Sequence, residues 1–227
     1  MEPTYLLARG ILKPWLATWF RWTLEGVERI PRTGGTILAF NHIAFLDPFA
    51  AAYLVDEVGR RVRFLAKSEL FQDKRIAWIV RGAGQIEVRR GTRDAPMALD
   101  HAYRALQEGE LVAVFPEGTI TDDPDLKPMA AKSGAARLAL KTGAPLIPCA
   151  LWGTQNIWPK DFRKHWWPPR QDIAIQVGEA MKVPVGDESR DAITDVSRRL
   201  SEELALLVAG LRPAIADRRR PREVRAA

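Results

Sequence analysis

An α/β fold, with a central mixed β-sheet and helices on its faces, is what this 227-residue sequence predicts. Three observations lead there. Short apolar runs at residues 35–40, 111–115 and 144–151 read as buried strands. Stretches with helical spacing lie between them, as at residues 94–107, where Met97, Leu99, Ala102 and Leu106 share one face. Glycines punctuate the joints, Gly109 and Gly143 each ending a helix before a strand. The length suits one domain with a sizeable core, and an apolar content of 47% is globular.

In chain order, residues 4–22 read as a helix that Pro14 bends or divides. On a helical wheel, Ala8, Ile11, Leu12, Trp15, Leu16, Trp19 and Trp22 fill one broad face, with Lys13 and Arg21 opposite. Tryptophans with cationic flanks suit a helix lying in a bilayer interface, so residues 1–22 are expected to be an amphipathic, membrane-associating segment. Residues 22–30 read as a strand, and residues 31–35 as a turn before the strand at 35–40. Asp47 and Pro48 mark a helix start, Asp as N-cap and Pro at the first turn, with helix to about residue 57.

Residues 62–66 are a strand, Ser68 caps a short helix, and a second helix spans about 73–81. Residues 85–88 form a short strand with Arg89 and Arg90 at its end. A helix at about 130–142 carries Lys132, Gly134 and Arg137 near its start. Residues 152–171 hold four Trp and three Pro with no period and read as a flap. Residues 172–177 alternate as an edge strand, and a helix from about 189 to 211 closes the fold before Pro213. The domain therefore covers residues 23–211, and residues 212–227 are expected to be a basic, disordered tail.

Composition excludes several classes. The single Cys149 rules out an intrachain disulfide and lies on an apolar strand, so it reads as core. Three scattered histidines supply no metal-binding spacing. No stretch reaches 18 apolar residues without charge, and the N-terminal stretch lacks a signal-peptide pattern. The formal charge of +6 is uneven: residues 60–93 hold ten Lys/Arg against three acids, while residues 94–127 hold two against eight. A basic surface suits an anionic membrane or a phosphorylated ligand. A nucleic-acid partner is not expected, because much of the net charge sits in the tail and no recognised binding motif occurs.

The chemistry centres on His42 and Asp47, five positions apart at a strand-to-helix turn. A carboxylate within reach of the imidazole fixes its tautomer and stabilises its cation, leaving the other ring nitrogen free to take a proton. With 14 aspartates and three histidines in the chain, that spacing alone is unspecific, and a plain helix-capping role for Asp47 competes with it. At a strand end, Arg89 and Arg90 offer guanidinium groups that match phosphate oxygens.

Four segments in order make the pattern specific. Asn41-His42-x4-Asp47, Gly84-Gln-Ile-Glu-Val-Arg-Arg90, Phe115-Pro-Glu-Gly-Thr119 and Pro145-Leu-Ile-Pro148 resemble the four blocks of the glycerolipid acyltransferase family, most closely bacterial 1-acylglycerol-3-phosphate acyltransferases. The resemblance spans roughly residues 25–180. It implies that His42 and Asp47 are catalytic, that Arg90 binds acceptor phosphate, and that Glu117, Gly118 and Thr119 help place the acceptor.

Two departures stand out: Ile120 occupies a position where the family often has Arg, and Arg89 one where it usually has an acid or amide. Lys132 or Arg89 is the expected replacement cation. The implied reaction moves an acyl group from acyl-CoA or acyl-carrier protein to a lysophospholipid hydroxyl, with no further cofactor. It would run on the cytoplasmic face of the cell membrane, against an anionic surface. Competing readings are the same chemistry on glycerol-3-phosphate or another lysolipid or glycolipid, and a non-catalytic lipid-binding protein.

Overall fold

The computed structural model describes residues 3–74, 77–88, 95–161 and 164–218. Among these, seven strands form one sheet: β1 (Phe20–Glu25), β2 (Thr36–Phe40), β3 (Val62–Lys67), β4 (Ile86–Val88), β5 (Leu111–Val114), β6 (Leu146–Trp152) and β7 (Gln171–Val177). The helices are α1 (Pro3–Trp19), α2 (Asp47–Glu57), α3 (Ser68–Gln72), α4 (Ala77–Gly82), α5 (Ala95–Gln107), α6 (Gly134–Thr142) and α7 (Arg190–Arg218). Across the sheet the order is β1-β7-β6-β2-β5-β3-β4. The five strands from β6 to β4 are parallel; β7 runs antiparallel to β6 and parallel to β1. The sheet is therefore mixed, as the sequence predicts.

Strand β2 lies at the centre, and all five of its residues are buried. Alternation sends Leu38 and Phe40 to one face with Ala50, Leu54 and Val55 of α2 and Leu16 of α1. Ile37 and Ala39 go to the other face with Ala102 of α5, Leu138 of α6 and Val196 and Leu200 of α7. Helices thus cover both faces, which explains why β2 and β5 read as uninterrupted apolar runs. The parallel strands bring their C-terminal ends to one edge of the sheet, where α/β folds present functional groups.

Several boundaries differ from expectation. Helix α1 runs unbroken through Pro14 but stops at Trp19, and Trp22 belongs to β1. The expected bilayer face is largely the face that covers the core: Leu16 is buried, and Leu12, Trp15 and Trp19 rest against the apolar cluster beneath them. Among the described residues, the large apolar side chains exposed on α1 are Leu6, Leu7 and Ile11. Strand β1 is shorter than the expected one and is followed by a 3-10 turn at Val27–Arg29.

Strand β7 is interior, because β1 pairs along its outer side. The N-cap of α3 is Lys67, not Ser68. Helix α6 begins at Gly134, which leaves Lys132 in the preceding loop. Helix α7 continues through Pro213 to Arg218. A proline removes one intrahelical donor, a loss that a long helix anchored at Ile193, Val196, Leu200 and Leu204 absorbs. Among the described residues, no helix is long and apolar enough to cross a membrane.

Candidate active site

The site is built where β2 ends. Asn41, fully buried, ties that end to β6: its amide nitrogen donates to the Leu151 carbonyl at 3.1 Å, and its carbonyl oxygen accepts the Leu151 N–H at 2.6 Å. The chain then turns through residues 42–46 into α2. Asp47 is not the N-cap of that helix; Leu46 is, and no side chain caps it. The Asp47 carboxylate turns back over the loop instead. Its Oδ2 accepts the Ile43 N–H at 2.6 Å and the Ala44 N–H at 2.8 Å, and lies 2.9 Å from His42 Nδ1.

Two amide donors keep Oδ2 an acceptor, so Nδ1 carries the hydrogen in the neutral ring and Nε2 holds the lone pair. Asp47 is fully buried, while the His42 side chain keeps 16% of its surface exposed. One face of the imidazole lies on the Phe115 ring, at a centroid distance of 4.3 Å. The pair thus combines a buried, oriented acid with a base that solvent reaches.

Glu117 braces the same loop. Strand β5 ends at Val114, and the chain turns at Gly118, whose φ of 77° suits glycine and whose N–H donates to Phe115 O at 2.9 Å. The turn delivers Glu117 to the loop that leaves β2. Its Oε1 accepts the His42 N–H at 2.9 Å and its Oε2 the Met129 N–H at 3.0 Å. Burial pushes the Glu117 carboxyl above its ordinary value, against the pull of the Met129 and His42 amides. Glu117 is only 2% exposed. The contacts described for its carboxylate are therefore to backbone amides that fix the shape of the site.

The structure brings His42, Asp47, Glu117 and Gly118 together. Thr119 follows the turn, half-buried. Among the described residues Lys132 joins through its backbone, its N–H donating to Pro116 O at 2.9 Å, and the residue is exposed. Arg89 and Arg90 lie outside the described residues. Strand β4, which ends at Val88, is parallel to β2 but three places along the sheet, so at about 4.8 Å per strand its end stands roughly 14 Å from that of β2.

Two residues at the site escape sequence reasoning. Thr154 donates to Asp47 Oδ1 at 2.6 Å. Lys160 reaches the Ile120 carbonyl at 3.0 Å and pairs with Asp122, which puts a cation beside the position where the motif has lost one. Both lie in the tryptophan-rich flap, and no local pattern points to either. Cys149 is buried, and burial pushes its thiol up, as suits a core residue.

Comparison with known proteins agrees with this layout. Residues 21–152 match the acyltransferase family. Over 168 residues, 70% of this chain, the sequence is 30% identical to a 1-acyl-sn-glycerol-3-phosphate acyltransferase of Borreliella burgdorferi. The match covers 62% of that protein, so the chain spans somewhat less than two thirds of its length. A protein of the same name from Bacillus subtilis is 30% identical over 129 residues, 57% of this chain and 61% of the relative. The crystal structure of the 1-acyl-sn-glycerophosphate (LPA) acyltransferase PlsC from Thermotoga maritima superposes with a TM-score of 0.64 at 27% identity, over 88% of this chain and 79% of that one. Since the matched span runs from β1 to the end of β6 and encloses both the His42 loop and the Glu117 turn, this chain belongs to the acyltransferase family.

Proposed function

We propose that the protein transfers a fatty acyl group from acyl-CoA or acyl-carrier protein to the free hydroxyl of 1-acylglycerol-3-phosphate, giving phosphatidic acid for phospholipid biosynthesis. The observation that carries this reading is the His42 ring, held at Nδ1 by the buried Asp47 and presenting Nε2 as its basic nitrogen. Nε2 takes the proton of the acceptor hydroxyl while that oxygen attacks the thioester carbonyl. The C–S bond then breaks, and the imidazolium returns the proton to the departing thiolate. Asp47 stabilises the cation in between. No acyl-enzyme is needed, since the acceptor is itself the nucleophile. In this reading Arg90, by its place in the family's second block, holds the acceptor phosphate, with Arg89 beside it.

The same reading places the protein peripherally on the cytoplasmic face of the cell membrane. Exposed Leu6, Leu7 and Ile11 on α1, with Leu70 and Trp78 on α3 and α4, support it. The test is to give purified protein mixed acyl thioesters and a panel of 1-acylglycerol-3-phosphate, glycerol-3-phosphate and other lysolipids, and to identify products by mass spectrometry. Phosphatidic acid made by the wild type and lost in His42→Ala is the expected result. A product only from another acceptor reassigns the substrate. Near-normal turnover by folded His42→Ala overturns the mechanism. Arg90→Ala should act mainly through KM for the phosphorylated acceptor.

A further inference from the structure

We propose that Thr154 is a positioning residue for the His42–Asp47 pair, acting through the carboxylate oxygen that the loop around His42 leaves unserved. The donors that the loop directs at Asp47, the Ile43 and Ala44 amides and His42 Nδ1, all meet its Oδ2. For Oδ1 the donor is Thr154 Oγ1, at 2.6 Å. Both side chains are fully buried, so bulk solvent does not reach that bond. A hydroxyl has a single hydrogen to give, and Thr154 gives it here.

The flap is shaped to deliver it. Gly153 adopts φ 104°, and a Cβ there would sit 2.2 Å from the Asp172 carbonyl oxygen, so glycine alone lets the chain turn beside β7. The Thr154 carbonyl then accepts the Ile157 and Trp158 N–H groups, each at 3.0 Å, closing a short turn. That turn grips the His42 loop again, for the Trp158 carbonyl accepts the Phe45 N–H at 3.0 Å. Residues 41, 45 and 47 are thus tied to residues 151, 158 and 154 in turn. The His-x4-Asp loop sits in a mould made by a segment more than 100 positions downstream, and Thr154 lies just past the span that matches the family.

Removing the hydroxyl leaves a buried anionic oxygen without a donor. The carboxylate relieves this by rotating, which carries Oδ2 off the imidazole, or by binding a proton, which removes the charge that steadies the imidazolium. Either way His42 is affected although Thr154 does not touch it.

The inference rests on the proposed role of His42 as base, and its test separates the two ideas. Full-length Thr154→Val and Thr154→Ser are compared with wild type by two readouts. The first is the low-field proton resonance of the His42 Nδ1–H, assigned by its loss in His42→Ala, which needs no substrate. The second is steady-state transfer from acyl-CoA to 1-acylglycerol-3-phosphate.

Thr154→Val should displace or broaden the resonance and lower kcat about ten- to hundredfold, a part of the roughly 10²–10⁴ that a positioned base contributes, with both KM values unchanged. Thr154→Ser should restore both. If Thr154→Val does not fold, Thr154→Ala removes the same oxygen with less bulk and carries the comparison. A folded variant lacking the hydroxyl that keeps both the wild-type resonance and the wild-type kcat overturns the proposal. A wild type without transfer between these two substrates rules out that donor and acceptor pair, and the resonance then decides the role of Thr154 alone.

Discussion

The two ends of β2 carry two polar knots that solve one problem in opposite ways. At the N-terminal end, Arg60 gives four of its five N–H donors to the carbonyls of Pro31, Gly34 and Gly109 and to Thr36 Oγ1, at 2.7 to 2.9 Å. At the C-terminal end, Asp47 and Glu117 accept the amides of His42, Ile43, Ala44 and Met129. One knot uses a cation to satisfy carbonyls; the other uses carboxylates to satisfy amides. Both settle backbone groups that the ladder cannot reach. The difference lies in what is left over. The Arg60 knot closes on itself, whereas the His42 knot leaves a basic ring nitrogen unspent.

That contrast predicts a crossover between activity and stability. His42→Ala removes the reactive atom but none of the amide bonds, so kcat should fall about 10²–10⁴-fold while the melting temperature barely moves. Arg60→Met should do the reverse. Its four acceptors lose a charged donor, and half-burial lets water replace some of it, so a loss of about 2–3 kcal/mol is expected with kcat per folded molecule retained. Urea unfolding of both variants, paired with turnover assays, reads the two axes. Comparable losses on both axes for either variant would erase the distinction between the knots.

Glu117→Gln sharpens the comparison from inside the active knot. The glutamine nitrogen cannot accept a bond, so one of the His42 and Met129 amides loses its acceptor, at about 1–3 kcal/mol. The pH dependence has a definite sign. Burial raises the Glu117 carboxyl in the folded protein, so its contribution is full below the unfolded value and is lost as pH rises through the folded one. The gap in melting temperature between wild type and Glu117→Gln should be widest in acid and narrow toward neutral pH. A gap that widens as pH rises would mean that the amide bonds outweigh desolvation.

What was legible in the sequence follows the range of the contacts. His42 and Asp47 are five residues apart on one turn, so their meeting is local and readable. Strands β2, β5 and β6 announce themselves because burial on both faces leaves almost no polar position. Strand β7 misleads for a physical reason. Asp172 looks like a solvent-facing residue, yet it is 9% exposed and ion-paired to Arg21 on the neighbouring β1, at 2.9 Å. Glu117 shows as a motif residue, but its engagement with two backbone amides depends on a loop reaching Met129. Thr154 and Lys160 belong to a flap whose fold is set by distant partners, so composition says nothing of them.

The weakest expected effect lies where α1 meets the domain, and it shows how differently that helix is held. Arg9 and Lys13 converge on Asp56, with Lys13 also 3.0 Å from Glu57. Burial pushes the Asp56 carboxyl up, but its hydrogen bonds to Arg9 and Lys13 outweigh that and leave it below its ordinary value. A depressed acid contributes stability above its unfolded value, and the contribution is lost as pH falls through the folded one. The cations are exposed enough for solvent to screen the pairs, so Lys13→Gln should cost less than about 1 kcal/mol at neutral pH. That difference should vanish in acid, and also in about 1 M salt, where the screening length shrinks to about 3 Å. The buried bonds of the two knots should change little under the same salt. If the Lys13→Gln deficit instead persists at high salt, the lysine stem anchors α1 by covering apolar surface, and the helix is held by contacts more like those of the core.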